Sequence, residues 1–147
     1  MIDTSGIDWS KRRPAFGQGH MAATGIALEH FEYGLARVRM PYRPELLGDP
    51  ERGFIHTSAV MSLVDSACGF PALALIPASE IIVTLDLRMD YLRPSLAPYD
   101  LVCEVDCYRM TAQIAFVRAI VWQQDQGTPV ANAVATFMRV PEPSGGA

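Results

Sequence analysis

The stretch Ala59–Leu75 carries a single charge, Asp65, and is preceded by His56-Thr57-Ser58. A carboxylate among apolar residues is costly to bury unpaired, so it points either to structural pairing or to chemistry. The chemistry open to it is proton abstraction from water or direct attack on an electrophilic carbon. Reaction at a carbonyl also needs donors for the oxygen that gains charge. The backbone N–H groups of Thr57 and Ser58, at a helix start and backed by its dipole, suit that task. His56 in this setting braces the turn rather than transferring protons. Helical rise puts Thr57 roughly 12 Å from Asp65, so they do not meet at one carbon within one chain. A two-fold dimer with antiparallel helices would bring the start of one helix beside Asp65 of the other, giving two equivalent sites.

These residues need a helix held in a core. Val60, Met61, Leu63, Val64, Ala67, Cys68 and Leu73 cover most of a helical circumference, which predicts burial on nearly all sides. Ser58 is positioned to cap this helix, and Pro71 is expected to kink or end it. Upstream, Ile26–Phe31 and Leu35–Met40 are extended runs around Glu32-Tyr33-Gly34, the pattern of a hairpin. Pro41, Pro44, Gly48, Pro50 and Gly53 punctuate the loop to His56.

After Pro77 the period changes from helical to two. Val83, Leu85, Leu87, Met89 and Tyr91 alternate with Thr84, Asp86, Arg88, Asp90 and Leu92, as in a strand with one buried face. Leu101, Cys103, Val105 and Cys107 define a second such strand. Ile114–Trp122 is apolar at nearly every position except Arg118, which predicts a strand covered on both faces near the sheet centre, and Val130–Val140 closes the domain. Two strands, one long helix and four strands make an α+β domain: an antiparallel sheet of five to six strands wrapped around one central helix, the hotdog fold. The domain is read as residues 24–140, with an N-terminal arm over 1–23 and a flexible tail over 141–147.

Composition removes other classes. A formal charge of −4 and a pI near 5.3, with basic residues scattered except at Lys11-Arg12-Arg13, leave no footprint for nucleic acid. Cys68, Cys103 and Cys107 have neither CxxC spacing nor a histidine pattern beside them, so they read as small apolar fillers, reduced in a cytoplasmic protein. No apolar run resembles a signal peptide or a membrane span. No Gly-x-Ser-x-Gly elbow, phosphate-binding loop, dinucleotide fingerprint or His-Glu-x-x-His motif occurs, and no metal or redox cofactor is expected.

Two segments carry a family resemblance. Gly53-Phe54-Ile55-His56-Thr57-Ser58-Ala59-Val60-Met61-Ser62-Leu63-Val64-Asp65-Ser66-Ala67 resembles the loop and helix of the PaaI-like acyl-CoA thioesterases, and Thr84-Leu85-Asp86-Leu87-Arg88-Met89-Asp90-Tyr91-Leu92-Arg93-Pro94 their next strand. The resemblance implies thioester hydrolysis of an acyl-CoA in a homo-oligomer, a dimer or a dimer of dimers, with Asp65 as general base or nucleophile. It implies the Thr57 and Ser58 amides of the facing subunit as oxyanion donors, and it nominates Thr84 near the reacting water. Arg88 and Arg93 are candidates for the coenzyme A phosphates. Two departures stand out. Thr57-Ser58 replaces the family's two glycines, and Pro50 replaces an asparagine thought to contact the thioester or the water, with Asp49 a poor substitute. They motivate an alternative, a weakly active or non-catalytic acyl-CoA-binding dimer. An enoyl-CoA hydratase or dehydratase would need His56 and Asp65 to act as a pair on one substrate, which the helix spacing disfavours.

Overall fold

The computed structural model describes residues 18–141 and residue 143; the expected arm up to residue 17 and most of the expected tail lie outside that range. A short helix α1 (Gly19–Thr24) leads into β1 (Ala27–Glu32) and β2 (Leu35–Met40). These two strands pair as the expected hairpin, with Gly34 at φ 75°, a left-handed conformation that glycine adopts without strain. The punctuated loop then forms a 3₁₀ turn and a small two-stranded hairpin of β3 (Leu47–Asp49) and β4 (Phe54–Ile55), which delivers the chain to the long helix α2 (Thr57–Ala74). Four long strands follow: β5 (Glu80–Tyr91), β6 (Leu101–Met110), β7 (Ile114–Trp122) and β8 (Ala131–Pro141).

The main sheet has six antiparallel strands in the order β1-β2-β6-β7-β8-β5, and α2 packs across its inner face. Leu63, Val64, Ala67 and Cys68 of the helix share one buried cluster with Val38, Met40, Cys103, Val105, Val117 and Val121 of the sheet. Each large side chain there contributes about 1.5–3 kcal/mol on removal from water. Cys68 and Cys103 are fully buried and Cys107 half-buried, and desolvation raises all three thiols, Cys107 to about 11. By length and composition alone α2 matches a membrane span, yet half of it lies inside this core.

Four local expectations are corrected. Burial of α2 is not all-round: Thr57, Ser58, Met61 and Asp65 are exposed on one stripe, because the sheet covers only the opposite side. The helix continues through Pro71 to Ala74, since Phe70, Pro71, Ala72 and Ala74 are all buried and packing holds the last turn despite the missing donor. β7 is central as expected, but its outer face is open, with Arg118 exposed and Ile114, Phe116 and Ile120 only partly covered. In β5 the uniform alternation breaks at a bulge between Thr84 and Asp86, where Leu85 is the extra residue. The bulge changes the phase. Thr84 and Tyr91 both hydrogen-bond to α2 and Leu87 and Met89 pack on the core, while Val83 and Leu85 stay exposed.

Candidate functional site

The start of α2 is built by three local contacts. His56, at φ −64° and ψ 136°, is the N-cap, and its Nδ1 accepts from the Ser58 N–H at 3.1 Å and lies 2.7 Å from Ser58 Oγ. The cap is therefore the histidine and not Ser58, because the imidazole reaches over the first turn where the serine hydroxyl only supports the ring. Accepting at Nδ1, the ring braces the first turn of the helix. Gly48 packs directly under this ring. A Cβ at residue 48 would lie 2.9 Å from His56 Cδ2, closer than such atoms approach. Gly48→Ala is expected to displace the ring, uncap α2 at a cost of about 1 kcal/mol, and lower turnover; paired urea unfolding curves and rate measurements check both effects.

With the Ser58 N–H taken by His56, the Thr57 N–H is the donor left free: no described residue accepts from it. No described residue other than glycine has a positive φ, so threonine at residue 57 sits in ordinary helical backbone without strain. Tyr91 Oη donates to the Thr57 carbonyl at 3.3 Å, and desolvation holds its phenol above the usual range, keeping it a donor. The two side chains help wall a cleft of about 380 Å³ that also involves Phe54, Val60, Arg93 and Ser95.

Two turns along α2, Asp65 is exposed on the same stripe as Thr57, and Thr84 Oγ1 donates to its Oδ1 at 3.0 Å. The fold thus joins Asp65 with Thr84 and His56 with Ser58, but leaves Thr57 and Asp65 eight residues apart on one helix. Arg93 borders the cleft, whereas Arg88 is paired with Asp90 at 3.0 Å. Asp49 is committed to Arg52, whose Nη1 donates at 2.6 Å, and this pairing lowers its carboxyl. Among the described residues, no group of three or more metal-ligating side chains forms a cluster. A larger hollow of about 530 Å³ lies on the outer face of the sheet, where Arg118–Asp106 and Arg37–Glu104 satisfy one another. It is remote from the free amide and the helix carboxylate.

Gly48 and Tyr91 are the contributors that sequence reasoning missed. Gly48 looked like loop punctuation, and nothing local ties Tyr91 to a residue 34 positions earlier. Only the register of β5 after its bulge aims that phenol at the helix start.

The six-stranded sheet packed on one long central helix defines a hotdog domain. The model of the thioesterase superfamily matches residues 52–130, and the chain belongs to that superfamily. Within it the PaaI resemblance holds: the structure of a variant of the phenylacetic acid degradation protein PaaI from Thermus thermophilus is 28% identical, with a TM-score of 0.72 over 82% of this chain and 97% of that one. The medium/long-chain acyl-CoA thioesterase YigI of Salmonella typhimurium is 26% identical over 129 residues, 79% of this chain and 82% of that protein. A Halobacterium salinarum protein provisionally named an esterase is 27% identical over 99 residues; the match takes in 65% of this chain and 64% of that protein's length.

Proposed function

We propose that this protein hydrolyses an acyl-CoA thioester to the free acid and coenzyme A, in sites shared across a two-fold dimer. The observation that carries the reading is the Thr84–Asp65 hydrogen bond, which fixes a carboxylate on the one exposed stripe of α2, facing away from its own core. An antiparallel partner helix sets the free Thr57 amide of the facing subunit beside that carboxylate. Asp65 takes a proton from water as the water oxygen bonds to the acyl carbon, and the carbonyl electron pair moves onto oxygen, where the Thr57 N–H holds it. Collapse re-forms the carbonyl and breaks the C–S bond; the thiolate leaves with the proton from Asp65. Direct attack by Asp65 through an anhydride, then hydrolysed by water, uses the same groups. In this reading Ser58 serves the His56 brace, and Arg93 faces the coenzyme A phosphates.

The committed Asp49–Arg52 pair and the donor-less Pro50 favour a second reading, a dimer that binds acyl-CoA with little turnover. Phenylacetyl-, benzoyl- and octanoyl-CoA assayed by thiol release separate the two. Turnover of at least one, with one thiol per acid formed, is expected. Binding by calorimetry without thiol release from any of them would replace the first reading with the second.

A further inference from the structure

We propose that the Thr57 side-chain hydroxyl is a second oxyanion donor, acting with its own backbone N–H on the wall of the cleft. The inference rests on the thioesterase reading above and deepens it.

The donor inventory at the helix start leads to Thr57. Pro50 has neither an amide side chain nor an N–H, and Asp49 is engaged by Arg52. The Ser58 N–H is held by His56 Nδ1, and Ser58 Oγ lies 2.7 Å from the same nitrogen. Tyr91 Oη is turned to the Thr57 carbonyl. What stays unengaged by any described residue is the N–H and the hydroxyl of Thr57, a residue that lines the cleft. Only the N–Cα–Cβ–Oγ bonds separate these donors, and a staggered χ1 directs both at one external oxygen, with the hydroxyl hydrogen free to rotate toward it. A glycine here would offer the amide alone. The helical backbone makes no demand for glycine at this position, so threonine adds a donor without strain. As charge builds on the thioester oxygen both bonds shorten and strengthen, and the gain falls on the transition state rather than on substrate binding.

The test uses the full-length protein and whichever of the three acyl-CoAs it turns over fastest. Thr57→Val removes the hydroxyl at constant shape and is expected to lower kcat about 10- to 100-fold with KM little changed. Thr57→Ser keeps a hydroxyl and should stay within about threefold of the parent. Thr57→Gly matches the family pattern, yet should fall with the valine variant rather than rise above the parent. Equal kcat for the valine and serine variants, loss of activity in the serine variant, or a glycine variant faster than the parent each overturns the proposal. If Thr57→Val does not fold, the serine and glycine variants decide it alone. Asp65→Asn run alongside separates the failures: a fully active Asp65→Asn sinks the thioesterase mechanism itself, whereas an inactive one beside an unaffected Thr57→Val sinks only the hydroxyl.

Discussion

Asp65→Asn is expected to lower acyl-CoA hydrolysis by about a thousandfold while leaving the fold and the assembly as they were. Asparagine keeps an oxygen where Thr84 Oγ1 now donates at 3.0 Å, so the one hydrogen bond that the described residues make to this side chain survives. What disappears is the basicity needed to take a proton from water, or the nucleophile if attack is direct. The residue is exposed on the isolated chain, so the change leaves no buried charge unpaired and no cavity. Thiol release measures the loss, and superimposable melting curves exclude unfolding as its cause. Hydrolysis by Asp65→Asn at the parent rate on every substrate of the panel would rule out this carboxylate as the reacting group.

The same variant tests whether a site draws on two chains. Thr57→Pro deletes the Thr57 N–H and its hydroxyl, and proline is tolerated there because residue 57 opens the helix and His56 is already extended. If the sites are shared across a dimer as proposed, each homodimer lacks one half of every site. A mixed dimer of the two variants holds one site with both defects and one with Asp65 and Thr57 intact. Equal mixing with subunit exchange puts half the dimers in that state, so activity should return to about a quarter of the parent. A site contained in one chain predicts no return.

Much of this is legible in the sequence alone. Periodicity is a local property, so the change from a helical to a two-residue repeat after Pro77 marks the elements in order, and six strands around one helix follow. Asp65 stood out because a lone carboxylate contradicts its apolar neighbours. Less was legible where the answer depends on a partner element. The bulge at Leu85 is set by the register against β8 and cannot be read from β5 itself; it decides that Thr84 reaches Asp65 and Tyr91 reaches Thr57. The exposed stripe of α2 was hidden because Met61 counts as apolar whichever way it faces. His56 as cap, in place of Ser58, turns on the room that Gly48 leaves for an imidazole.

Met61 supplies the second large effect. If antiparallel α2 helices bring Thr57 of one chain beside Asp65 of the other, the two-fold axis passes the midpoint of residues 57 and 65, which is residue 61. Met61 is 43% exposed on the isolated chain, a large apolar side chain on the stripe between the two site residues. β5 lies at the sheet edge with Val83 and Leu85 exposed, a further apolar surface that a second copy would cover. Met61→Lys sets two like charges face to face at the axis, where neither can move away without parting the helices. The monomer loses little by the change, since the position faces solvent on its own chain. The expected outcome is a shift to monomer mass in sedimentation, a retained far-ultraviolet spectrum, and hydrolysis lowered about 100-fold or more because both sites lose half their groups at once. Met61→Cys gives the converse result: mild oxidation should join the two subunits through a symmetric disulfide across the axis and preserve activity. A Met61→Lys protein that remains dimeric and active would show that the helices do not cross at this residue, and with that the shared site would lose its geometry.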